Sequence, residues 1–152
     1  MLLVIDIQAG TANFLAGRDA FIERVNQVIL SAKEKEIPII YVKQAMRGNL
    51  VNNLISEEAD PVVTKMRPSA FTSPSFCEIV KKLEVDSFIV VGLMSNACIQ
   101  STVKAALDRQ YPVTLIEDAH DSVIKPMRQI WNKKLNALGC NLVSTNQFIS
   151  EN

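Results

Sequence analysis

Short apolar runs that stop abruptly, with helix-like stretches between them, constrain this chain more than any other feature. Leu2–Ile5 (L-L-V-I) ends on Asp6, and Ile37–Val42 (I-P-I-I-Y-V) has Pro38 near its start, where a missing backbone donor is tolerated. Pro61–Thr64 is a weaker run that ends at Lys65. Ser87–Val91 closes on Gly92, Pro112–Ile116 closes on Glu117–Asp118, and Asn141–Ser144 is the last. The runs are continuous rather than alternating, which suits strands covered on both faces of a parallel sheet.

The intervening stretches have helical spacing. Asp19–Lys35 places Phe21, Ile22, Val25, Val28, Ile29 and Ala32 at intervals of three and four, and Ala97–Gln110 aligns Ile99, Val103, Ala106 and Leu107. Ser75–Leu83 follows Pro74, a suitable helix start, and Lys125–Leu138 is closed by Gly139. Strand and helix alternate, so the expected fold is α/β: a three-layer, doubly wound sandwich with a mostly parallel six-stranded sheet, residues 1–152 forming a single domain. Gln44–Asp60 is the one long irregular or partly helical stretch, a candidate lid or interface element.

Composition narrows the function classes. Apolar residues make up 48% and charged residues 21%, a globular balance, and sixteen basic residues meet sixteen acidic ones. Neither nucleic acid nor a membrane surface is an expected partner, since both require a concentrated positive charge. No run approaches the roughly 20 apolar residues of a membrane span. Met1–Ile5 lacks the basic flank of a secretion signal, so a cytoplasmic protein is expected. The three cysteines contain no CxxC pair, and neither a disulfide framework nor a zinc ribbon is implied.

Ligands of such sheets bind beyond the carboxyl ends of the strands, so polar residues just after the apolar runs are the chemical candidates. Three stand out. Asp6 terminates four apolar residues, where a carboxylate is costly unless paired. Lys65 follows the third run, and Cys98 lies in V-G-L-M-S-N-A-C, where a strand gives way to a helix. A helix N-terminus and a nearby lysine both favour thiolate over thiol, so Cys98 is expected to be the reactive cysteine. Cys77 and Cys140 are read as packing residues.

Four segments resemble the isochorismatase-like cysteine hydrolases in the order that family has them. L-L-V-I-D-I-Q resembles its first-strand signature, T-K-M-R-P-S-A-F its lysine motif, V-V-G-L-M-S-N-A-C-I-Q-S-T-V-K-A-A-L-D-R-Q-Y its nucleophile elbow, and E-D-A-H-D-S a later block. The resemblance implies Asp6 as base, Lys65 as partner and Cys98 as nucleophile, and a cis peptide at Leu93–Met94. It also implies an oxyanion hole from the backbone N–H groups of Met94 and Cys98. The implied reaction is hydrolysis of a C–N bond (amide, imide or ureido) in a small molecule through a Cys thioester. Family members are commonly dimers or larger, so a homodimer or higher homo-oligomer is expected. Gln8, Phe14, Arg67 and Phe71 are candidates for substrate contact, and Phe14 and Trp131 fit core, subunit interface or pocket wall equally well.

Departures from the family pattern also inform. Nicotinamidases in the family bind a metal through a His-containing cluster after the second strand, but here that stretch reads V-K-Q-A-M-R-G-N. The one histidine, His120, comes much later and cannot form such a site alone, so no metal and no cofactor is expected. Gln110 replaces a usual glycine, a surface change. His120 itself is left between hydrogen-bonding a loop and facing the pocket rim. The alternative to an enzyme is a catalytically silent doubly wound binding or interaction module. A receiver-like Mg²⁺ site is disfavoured, because Ile5 and Ile7 flank Asp6 where a second carboxylate would be needed. A flavodoxin-like module would want a phosphate loop rich in Gly, Ser and Thr after the first strand, and Gly10–Thr11 is a thin version of one.

Overall fold

The computed structural model describes residues 1–151. Six strands form one sheet: β1 (Leu2–Ile5), β2 (Ile39–Gln44), β3 (Val62–Lys65), β4 (Phe88–Leu93), β5 (Val113–Asp121) and β6 (Asn141–Val143), in spatial order β3-β2-β1-β4-β5-β6. Every neighbouring pair is parallel. The short helix α1 (Ala9–Ala12) and the long α2 (Arg18–Glu34) follow β1. Next come α3 (Pro74–Lys82), α4 (Gln100–Asp108), α5 (Pro126–Ala137) and α6 (Thr145–Ser150).

Period-two alternation in the strands divides the core into two layers. Leu2, Val4, Ile39, Tyr41, Val91 and Leu93 face α2 and Phe148 of α6, burying Phe21, Ile22, Val25, Val28 and Ile29 of α2. Leu3, Ile5, Ile40, Val42, Val90 and Leu115 face the other way, onto Phe76 and Val80 of α3, Val103 and Ala106 of α4, and Leu135 of α5. This is the expected three-layer sandwich. Parallel neighbours need connections that cross back to the starting end of the sheet, and each connection here is long enough to do so.

Three strands end later than their apolar runs. β2 runs on through Lys43–Gln44, β4 reaches Gly92–Leu93, and β5 continues through Glu117–Asp121. Gly92 allows β4 to pass β1 here: its φ is +132°, and a Cβ would lie 2.1 Å from the Ile5 carbonyl oxygen. The stretch between β2 and β3 is irregular but tied down. Asn26 of α2 accepts the Ile55 amide and donates to the Asn53 carbonyl (2.8 Å each), the Tyr41 hydroxyl donates to the Ile55 carbonyl (2.5 Å), and Val51 and Leu54 are buried. It packs on the core through these residues, as a strap over the α2 side of the sheet.

Candidate active site

β1 sits where the winding of the sheet reverses: β2 and β3 lie to one side, β4 to β6 to the other. The crevice at such a point is where α/β sheets place their ligands. Asp6 closes β1 with a left-handed backbone (φ +53°), a conformation an Asp adopts more readily than most residues. Its amide donates to the Val42 carbonyl (2.8 Å), and the Thr11 hydroxyl donates to its carbonyl, so the turn is held from both sides.

Lys65, at the end of β3, is 1% exposed. An ammonium carries three donors, and all three are used: Asp6 Oδ2 at 3.0 Å, Gln44 Oε1 at 2.6 Å and Cys98 Sγ at 3.2 Å. The three sequence-predicted polar residues therefore converge. Cys98 lies in a single π-helical turn, Ser95–Ile99, that leads into α4, with the Leu93–Met94 peptide in the cis form. The Met94 carbonyl accepts from the Ala97 and Ile99 amides (3.0 and 3.1 Å) and pins the turn.

The electrostatics correct one expectation. The Cys98 thiol is pushed up to about 12, chiefly by burial and then by the Asp6 carboxylate, and Lys65 offsets only part of this. Burial also raises the Asp6 carboxyl despite the attraction of Lys65. Cys98 is therefore held as a thiol beside Asp6 and Lys65. Helix position and the lysine were counted from the sequence; burial and the neighbouring carboxylate, which win, were not. One carboxylate oxygen, Asp6 Oδ1, is buried without a hydrogen-bond partner among the described residues.

A cavity of about 680 Å³ opens over this cluster, walled by Asp6, Gln44, Arg47, Met94, Ala97 and Cys98 among others. None of the four substrate-contact candidates is among its walls. Gln8 is fully buried and spends its amide on backbone: Nε2 donates to the Gln44 and Gly48 carbonyls (3.0 and 2.9 Å), and Oε1 accepts the Gln44 amide (2.8 Å). Phe71 packs edge-on against Phe76 and Phe88 (5.1 and 5.7 Å) under α3. Phe14 is 81% exposed, and Arg67 lies on the surface. Cys140 is buried as expected; Cys77 is exposed, contrary to its reading as a packing residue. Trp131 is half-buried, with the Lys104 and Lys134 ammonium groups over its ring.

Two polar contributors were missed. Gln44 accepts from Lys65 at the end of β2, and the strand-end rule would have found it had that strand been carried past Lys43. The other is a chain behind the Ser95–Ile99 turn. Asn132 Nδ2 donates to the Glu117 carbonyl (3.0 Å), which turns its Oδ1 to His120 Nε2 (2.7 Å). His120 Nε2 therefore carries the proton, and Nδ1 accepts the Ser95 hydroxyl (2.7 Å). Burial lowers His120 to about 4, keeping it neutral. It hydrogen-bonds the turn and does not reach the cavity wall. Among the described residues, no three His, Cys, Asp or Glu side chains are grouped to hold a metal.

The chain matches the isochorismatase domain family over residues 1–147. It belongs to the isochorismatase family. It is 26% identical over 80 residues to the secreted isochorismatase effector Isc1 of Verticillium dahliae, covering 53% of this chain and 42% of that protein. The match to the ureidoacrylate amidohydrolase RutB of Azorhizobium caulinodans is 31% over 70 residues, 46% of this chain and 31% of that one. The chain thus spans less than half the length of each of these relatives. Among solved structures, YcaC from Pseudomonas aeruginosa with covalent acrylamide superposes with a TM-score of 0.87 at 21% identity, covering 97% of this chain and 76% of that one. YcaC from Escherichia coli, described as an octameric hydrolase, gives 0.87 at 20%, covering 99% and 77%. No helix among the described residues is long and apolar enough to cross a membrane.

Proposed function

We propose that this isochorismatase-family hydrolase cleaves a C–N bond of a small amide, imide or ureide through a thioester on Cys98. The observation that carries this reading is the Lys65 ammonium, which ties Asp6, Gln44 and Cys98 into one buried unit. A thiol pushed up to about 12 does not ionise ahead of attack, so its proton leaves as the S–C bond forms. The unpartnered Asp6 Oδ1 is the acceptor, while Lys65 holds the other carboxylate oxygen and the sulfur. The carbonyl electron pair moves onto oxygen, which the N–H groups of Met94 and Cys98 receive. As the oxyanion collapses, the C–N bond breaks and the amine leaves with the proton from Asp6. Water then gives a proton to Asp6 and attacks the thioester, and the thiol is restored by that proton.

The cavity volume fits a small molecule better than a polymer, and the even charge balance gives nucleic acid no electrostatic hold. Two or more copies assembling is consistent with exposed Phe14 and with the octameric E. coli YcaC. Three free cysteines, one exposed, favour a reducing compartment such as the cytoplasm, although the Verticillium relative is named as secreted. The test is ammonia release from a panel of small amides and ureides, with trapped acyl-enzyme located by mass spectrometry. Turnover with an adduct on Cys98 supports the reading. No turnover of any member favours a silent binding module instead, and full activity in Cys98→Ala removes Cys98 from the mechanism.

A further inference from the structure

The segment Ala45–Asn49 combines a clamped backbone with an uncommitted cation. Gln8 grips it at both ends, through Gln44 and Gly48. The Gly10 amide donates to the Arg47 carbonyl (2.7 Å), and the Ala9 amide to the Asn49 carbonyl (2.9 Å). That approach requires glycine: a Cβ on Gly10 would lie 2.7 Å from the Arg47 oxygen. Met46 and Gly48, on either side of Arg47, both hold left-handed backbone (φ +67° and +83°), which fixes the turn further.

Arg47 is exposed and makes no side-chain hydrogen bond or ion pair among the described residues, like other surface cations such as Arg67 and Lys133, from which its position sets it apart. It is a wall of the cavity, and its charge reaches Asp6, whose carboxyl it helps to lower against the dominant effect of burial. The other charged wall residue, Asp6, is already matched by Lys65. The cavity therefore carries one unmatched positive charge, on a fork of N–H donors shaped for a carboxylate.

We propose that Arg47 anchors a carboxylate on the substrate, so that the compound cleaved is a small amide or ureide that also bears a carboxylate. As a statement about substrate this rests on the hydrolase reading above, but the anion preference of the cavity does not. Lys65 is spent within the cluster with Asp6, Gln44 and Cys98, whereas Arg47, on the hydrogen-bonded turn, meets the part of the ligand that does not react.

Two experiments separate the claims. The first compares succinamate and N-carbamoylglycine with their neutral counterparts succinamide and N-carbamoylglycinamide. In the wild type, kcat/KM should favour the carboxylates by about tenfold or more, the worth of a charge-assisted hydrogen-bond pair. Arg47→Gln should collapse that ratio, mainly through KM, and Arg47→Lys should restore part of it. Equal use of both classes by the wild type, or an unchanged ratio in Arg47→Gln, overturns the proposal. The second compares alkylation of Cys98 by iodoacetate and by iodoacetamide at alkaline pH, with exposed Cys77 as internal reference. The iodoacetate preference should be several-fold higher at Cys98 than at Cys77, and lost in Arg47→Gln and in high salt. If no amide is turned over but this preference persists, the hydrolase reading fails and the anion site stands. If the preference is absent, the anion site fails whatever is hydrolysed.

Discussion

Two polar networks flank the turn that carries Cys98, and they are built on opposite plans. On the cavity side, Lys65 joins Asp6, Gln44 and the sulfur, with full charges and one carboxylate oxygen left unpartnered. On the sheet side, Ser95, His120 and Asn132 run to the Glu117 carbonyl as a neutral chain, each link near 2.7–3.0 Å. Buried polar groups are stable only when satisfied. The neutral chain obeys that rule and acts as scaffold. The charged cluster breaks it at one atom, which marks where a proton can be received.

The comparison can be broken most decisively at the sulfur. Cys98→Ala should abolish hydrolysis while leaving the melting curve nearly unchanged, and Asp6→Asn should be almost as damaging. Because the two act as a unit, the double variant should be scarcely worse than either single one, as judged by kcat.

Lys65→Met should cost both activity and stability. It strands a buried carboxylate, a loss of roughly 3–5 kcal/mol in urea unfolding, which Asp6→Asn added to Lys65→Met should partly repair. Stability that fails to recover in the double variant would show that Lys65 acts mainly through packing.

His120→Phe should destabilise by about 1–3 kcal/mol, through the unpaired Ser95 and Asn132, and lower kcat less than either catalytic-cluster change. His120 also makes the fold acid-sensitive. The unfolded chain takes up this proton near pH 6.5 and the folded one only near 4, so stability falls as pH drops across that window, by at most roughly 3 kcal/mol. Urea midpoints of wild type and His120→Phe should converge toward the acid end.

The smallest effect is on labelling. At neutral pH, iodoacetamide should modify Cys77 ahead of Cys98 and Cys140, whose thiols burial pushes up to about 12 and about 11. Rapid labelling of Cys98 would mean that its proton is held more loosely than its surroundings imply. Activity itself should decline as pH falls through a value above the ordinary carboxylate range, because Asp6 must be ionised to accept a proton.

Much of the fold was legible because strands buried on both faces need continuous apolar runs, and these are easy to see. Asp6, Lys65 and Cys98 followed from the strand-end rule. The polar ends of strands were harder: Lys43–Gln44 and Glu117–Asp121 still pair with neighbours at the sheet's rim, where hydropathy no longer reports the ladder. That hid Gln44 and left His120 undecided. Helix α6 was missed although Ser144 and Gln147 form a capping box at its start, because six residues are too few to show a period. Gln8 looked like a ligand-binding amide, since the sequence cannot reveal that a loop 36–40 residues away consumes all its bonds.

That amide has a consequence for how this architecture can diversify. Gln8 fastens Gln44, which accepts from Lys65, and Gly48, next to Arg47, to a single point of the chain. The span between the reacting end and the far wall of the cavity is therefore set by backbone, like the fixed jaws of a gauge. Adding or removing a residue within Ala45–Arg47 would re-set the length of molecule accepted while leaving Cys98, Asp6 and Lys65 where they are.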